Sequence, residues 1–124
     1  MPEAFPANTR EAVITFHYAD RIKAQLILAS RLIVPLSQLQ GEAREGGRVI
    51  FLEFLKGLEQ EINLAQAQIA DPDMVRVRTV MTGLLGMADA GMFQDLQQHF
   101  TWIITVMATY AQRAMEFLVK EKLI

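Results

Sequence analysis

The sequence predicts an all-α protein, an antiparallel up-down four-helix bundle with long first and last helices. Three observations carry that expectation. Apolar residues recur at spacings of three and four along nearly the whole chain, and no segment alternates with period two over a useful length. Four segments carry this period and the connections between them are short, which makes neighbouring helices run antiparallel. At 124 residues the chain suits one domain and buries a core without disulfides or a structural metal.

The first helix is expected over about 8–40. Ala12, Thr15, Ala19, Ile22, Leu26, Ala29, Ile33 and Leu36 form its stripe. Asn8 or Thr9 supplies the N-cap, with Glu11 in the first turn, and Gly41 supplies a stop. Pro35 lacks an N–H and crowds the carbonyl of Arg31, so a kink near Pro35 is expected. The glycine-rich run Gly41 to Gly47 reads as the first connection.

A second helix, about 47–70, carries Phe51, Leu55, Leu58, Ile62, Ala65 and Ile69. It ends at Asp71-Pro72, an N-cap followed by a first helical residue, which opens a third helix over about 72–90. That helix places Met74, Val77, Met81, Leu84 and Ala88 on one face, and Gly91 supplies the left-handed residue that ends it. The fourth, about 93–122, carries Leu96, Phe100, Ile103, Met107, Tyr110, Ala114 and Phe117. At a rise of 1.5 Å per residue the first and last helices reach about 45 Å and the third about 27 Å.

Composition narrows the function. Hydrophobic residues make up 52% and charged residues 21%, so a small domain has to place part of its apolar surplus on the surface, which favours self-association or a partner. The net charge of −2 lacks the basic field of a nucleic-acid binder. Without cysteine there is no thiolate, disulfide or Cys-ligated zinc, in keeping with a reducing cytoplasm. The first ten residues carry no basic and apolar leader pattern, so no secretory signal is expected. Leu96 to Gln112, the longest run free of Lys, Arg, Asp and Glu, holds Gln97, Gln98 and His99, so no membrane span is expected.

No catalytic residue, metal site or cofactor is expected. Neither His17 nor His99 follows a glutamate by three residues, as a carboxylate-bridged metal bundle requires. Asp95 and His99 stand four apart as a single pair. Ser30 and Ser37 have no histidine at helical spacing, and Glu53, Glu59 and Glu61 diverge around the second helix. Arg44 and Arg48, with Arg76 and Arg78, suggest a modest anion patch at one end.

The candidate site is therefore an interface. Beside the core stripe of the first helix, Phe16, Ile27 and Val34 form a second apolar line, more than one bundle seam uses. On the third helix Thr79, Gly83, Gly86 and Ala90 share a smooth face of small residues opposite the core, where another helix can approach closely. On the fourth, Trp102 falls in the polar sector and reads as an anchor. The expected function is non-enzymatic: an adaptor, assembly factor or chaperone-like module acting through helix–helix contacts, as a homodimer or on a helical segment of another protein. The alternative is an apolar ligand pocket between helices 1 and 4, opened by Pro35.

Overall fold

The computed structural model describes residues 5–124. Among them it places four α-helices and no strand: α1 Thr9–Gln38, α2 Gly41–Gln68, α3 Pro72–Asp89 and α4 Leu96–Lys120. Part of the N-terminal stretch used to judge a secretory signal, residues 1–4, lies outside the described residues.

The four-helix bundle is as expected. α1 packs most extensively against α4 and also against α2; α3 packs on α2, and the α3–α4 contact is the sparsest of the four. α1 and α3 therefore face each other across the diagonal, as do α2 and α4. Contacts fix the antiparallel sense. Ala12 near the start of α1 clusters with Ala114 and Leu118 near the end of α4, and Arg21 of α1 reaches Glu61 of α2 at 2.5 Å. Arg78 early in α3 donates to Gln66 late in α2.

All eight stripe residues of α1 are buried. Its N-terminus closes as a reciprocal cap: Asn8 Oδ1 accepts from the Glu11 N–H at 2.9 Å, and the Glu11 carboxylate accepts from the Ala7 N–H at 2.8 Å. The helix runs through Pro35 to Gln38 without a break. Only three residues follow the proline, so the lost N–H falls in the last turn, where little helix remains to be disrupted.

The expected connection over Gly41–Gly47 is instead the first two turns of α2, and the joint shrinks to Leu39 and Gln40. At 28 residues α2 is longer than α4, at 25. Each interior glycine disfavours the helix by about 1 kcal/mol, but tertiary contacts override that preference here. Gly47 lies against the end of α1, where a Cβ would meet Leu36 Cδ2 at 2.9 Å and Leu39 Cδ1 at 3.0 Å. Arg44 and Arg48, on the same turns, reach across to the α3–α4 joint.

α3 opens as expected, with Asp71 accepting from the Asp73 N–H at 3.3 Å and Pro72 as the first helical residue. It ends at Gly91, whose φ is +73°. The Gly91 N–H donates to the Ala88 carbonyl and the Met92 N–H to the Met87 carbonyl, each at 3.0 Å, the paired bonds of a left-handed helix stop. α4 starts at Leu96 rather than near 93, because Phe93 is buried in the joint as part of the core.

Candidate interaction surface

The eight residues singled out from the sequence fall in separate places. Ile27 and Val34 stay on the surface of α1, 37% and 61% exposed. Phe16, on the same line, is half-buried and bridges the main core to the small Ala12–Ala114–Leu118 cluster. Thr79, Gly83, Gly86 and Ala90 are exposed on α3 or at its end. Since α1 and α3 sit on a diagonal, these two groups do not merge into one face. Trp102 stands in the second turn of α4, 37% exposed, and the aromatic pairs among the described residues (Phe5–Tyr110, His17–Tyr18, Phe51–Phe93) do not include it.

The outward side of α1 is more apolar than that line alone conveys. Leu28 and Leu32 are exposed as well, Leu28 by 50%, and Ala24 between them is exposed. The structure turns both leucines to solvent because α1 is already occupied by α4 on one side and α2 on the other. Asp20 and Arg31 lie on this outward side, and neither makes an ion pair or hydrogen bond among the described residues. Arg21 is different: it is committed to Glu61, which Gln25 also holds at 2.6 Å. Burial pushes the Glu61 carboxyl up, but the bonds from Arg21 and Gln25, with the charge of Arg21, outweigh it and hold the group below the usual carboxylate range.

The α3 face is smooth for a stated reason. A Cβ on Gly83 or Gly86 would meet nothing within 4 Å. The Thr79 hydroxyl folds back to the Val75 carbonyl at 3.2 Å and the Thr82 hydroxyl to the Arg78 carbonyl at 3.1 Å, so neither projects a free donor. A similar surface runs along α4, where Thr101, Thr105 and Thr109 each donate to the carbonyl four residues earlier. That threonine line is plain in the spacing of the sequence once the helix register is known.

The arginines do not assemble an anion patch. Arg44 and Arg48 stand at the α2 N-terminus, whereas Arg78 is bonded to Gln66 at the other end of α2 and Arg76 pairs with Asp73 at 3.9 Å. Arg44 donates to the Gly91 carbonyl at 2.9 Å and lies 5.0 Å over the Phe93 ring. Arg48 bonds Asp89 at 2.7 Å and also pairs with Glu45. Both cations thus neutralise helix C-terminal carbonyls and close the α3–α4 joint. Two depressions of about 280 Å³ flank them, lined in part by Gly41, Asp89, Met92 and Gln94. A third, about 380 Å³, lies at the α1–α4 seam between Ile33, Val34, Ser37, Gln38, Gln94 and Gln97.

At the opposite end the buried Tyr110 hydroxyl donates to Asp71, the N-cap of α3, and Phe5 meets the Tyr110 ring edge-on at 6.0 Å. Burial and the neighbouring Asp71 carboxylate raise the phenol well above its ordinary pKa. The sequence supplied both residues, one as a cap and one as core, with no local signal that they meet. Asp95 stands at the N-cap of α4 without a side-chain capping bond, and His99 is half-buried. Among the described residues no three His, Asp or Glu side chains converge as metal ligands, and no helix is long and apolar enough to cross a membrane. Comparison with protein-family models, with curated proteins and with solved structures found no match.

Proposed function

We propose that this chain is a non-enzymatic helical-bundle protein that acts through helix–helix contacts, as an adaptor, assembly factor or chaperone-like binding module, and that it does so as a homodimer in the cytoplasm. One observation carries the reading: α1, already packed against α2 and α4, still exposes Ala24, Ile27, Leu28, Leu32 and Val34 on its third side. Exposed apolar side chains scattered singly need no explanation, but a continuous line on one helix marks an interaction surface. The lack of cysteine supports the compartment. Sedimentation equilibrium at tens of micromolar tests the assembly, with a 28 kDa species expected from twice the 14.0 kDa chain. A 14 kDa species across that range defeats the homodimer.

A second reading, an apolar ligand between α1 and α4, is favoured by the seam depression beside Val34. Its volume falls within the range of small-molecule sites. Native mass spectrometry of the purified protein separates the two readings, since a retained ligand adds mass to the monomer whereas self-association doubles it.

A further inference from the structure

The outward face of α1 is not only apolar; its charges are arranged to suit a second copy of itself. Asp20 and Arg31 are exposed and unpaired among the described residues. They stand eleven residues apart, which is three helical turns plus about 20°, so both lie on one side of the helix about 16 Å from each other. Between them, on that side, are Ala24, Ile27 and Leu28, all exposed. Asp20 precedes the exposed apolar residues, and Arg31 follows Ala24, Ile27 and Leu28 and precedes Leu32 and Val34.

We infer that α1 is a self-complementary dimerisation helix that packs antiparallel on α1 of a second copy. The inference rests on the homodimer reading above and assigns its face. An antiparallel two-fold pairing sets residue i of one copy level with residue j of the other, and j level with i. With the axis level with Gln25 and Leu26, Asp20 of each copy comes opposite Arg31 of its partner, giving two equivalent ion pairs. The same register sets Ala24 opposite Ile27 twice, so the small side chain receives the large one. Packed helices approach to 8–10 Å between axes, within reach of an arginine–carboxylate contact at the rim. A parallel pairing in register would set Asp20 against Asp20 and Arg31 against Arg31, and like charges disfavour it. The apolar centre supplies attraction and the flanking charges choose orientation and register.

Charge reversal tests this without touching the core. The wild-type protein, Asp20→Arg, Arg31→Asp and an equimolar mixture of the two variants are compared by sedimentation equilibrium. Each variant alone sets like charges together at both ends, and its dimer dissociation constant is expected to rise by about tenfold or more. In the mixture each end again has one acid and one base, so association is expected to return to near the wild-type value. Added salt is expected to weaken the wild-type dimer modestly. Circular dichroism checks that each variant folds, and recovery in the mixture is itself evidence of folded partners. A wild-type dimer whose dissociation constant is the same in both variants overturns the α1 face while leaving the homodimer standing. A wild-type protein that stays at 14 kDa across tens of micromolar overturns both the α1 face and the homodimer.

Discussion

A methyl group added at Gly47 would lie 2.9 Å from Leu36 Cδ2, whereas one added at Gly83 or Gly86 would meet nothing within 4 Å. In the sequence Gly47 reads as the end of a connection, whereas Gly83 and Gly86, inside a helical period, are the candidates for close helix approach. In the structure the close approach is at Gly47, and the α3 face lies open. The difference is one of partners. The end of the bundle around Gly47 is closed by the α1 C-terminus, by Arg44 and Arg48, and by Phe93 from the α3–α4 joint. The outward face of α3 has neither neighbouring helix over it. A glycine's spacing within a helix thus gives its face, and only the third dimension gives what stands against it.

The largest effect belongs to the closed end. Phe93 is 1% exposed, edge-on to Phe51 at 6.0 Å, with Arg44 over its ring. Phe93→Ala is expected to lower stability by about 3–5 kcal/mol, read from urea melts, through lost burial and the cavity left behind. A loss below about 1 kcal/mol would mean that the joint collapses freely, and the contrast between a filled end and an open face would fail. Ile50, 74% exposed on α2, serves as the control, since Ile50→Ala is expected to cost about 0.5 kcal/mol or less.

Next comes the cation that holds the same joint. Arg44→Met keeps the apolar stem but removes the bond to the Gly91 carbonyl, leaving a helix-terminal acceptor without its partner. The expected loss is about 1–3 kcal/mol. Gly47→Leu should cost a similar amount, about 1–3 kcal/mol, by forcing Leu36 and Leu39 aside. Hydrogen exchange would locate both losses: faster exchange in the first turns of α2 and at Gly91–Met92 is expected, with α3 from Thr79 to Gly86 unchanged.

The start of α2 also marks the limit of what the sequence carries. The stripes of all four helices were legible because burial follows the 3.6-residue period, and the buried residues of α1 are the eight read from spacing. Local chemistry also sufficed for Asn8, Asp71 and Gly91, since a cap is decided within a few residues. Gly41–Gly47 was misread because its helicity is set from outside the segment, by Leu36, Leu39 and the carbonyls at 89 and 91. The Tyr110–Asp71 bond links residues 39 apart, and no local pattern encodes such a meeting. For the candidate surface, the sequence supplied three separate helix faces; the fold half-buries Phe16 between two core clusters and sets the α1 and α3 faces on opposite corners of the bundle.

The smallest effect is the one that separates those two surfaces. At Gly83 and Gly86 the backbone is ordinary helix and the space is open, so alanine adds helix propensity without a clash. Each of Gly83→Ala and Gly86→Ala is expected to stabilise the protein by about 0.5–1 kcal/mol. Gly83→Leu should also be tolerated in the folded monomer, in contrast to Gly47→Leu. If the α1 face carries self-association, Gly83→Leu leaves the dimer dissociation constant unchanged, because α3 points away across the bundle. An association that weakens with Gly83→Leu yet ignores Asp20→Arg would move the partner from α1 to α3. Measuring the two variants side by side therefore decides which exposed face of the bundle is the used one, since within one chain α1 and α3 stand on opposite corners.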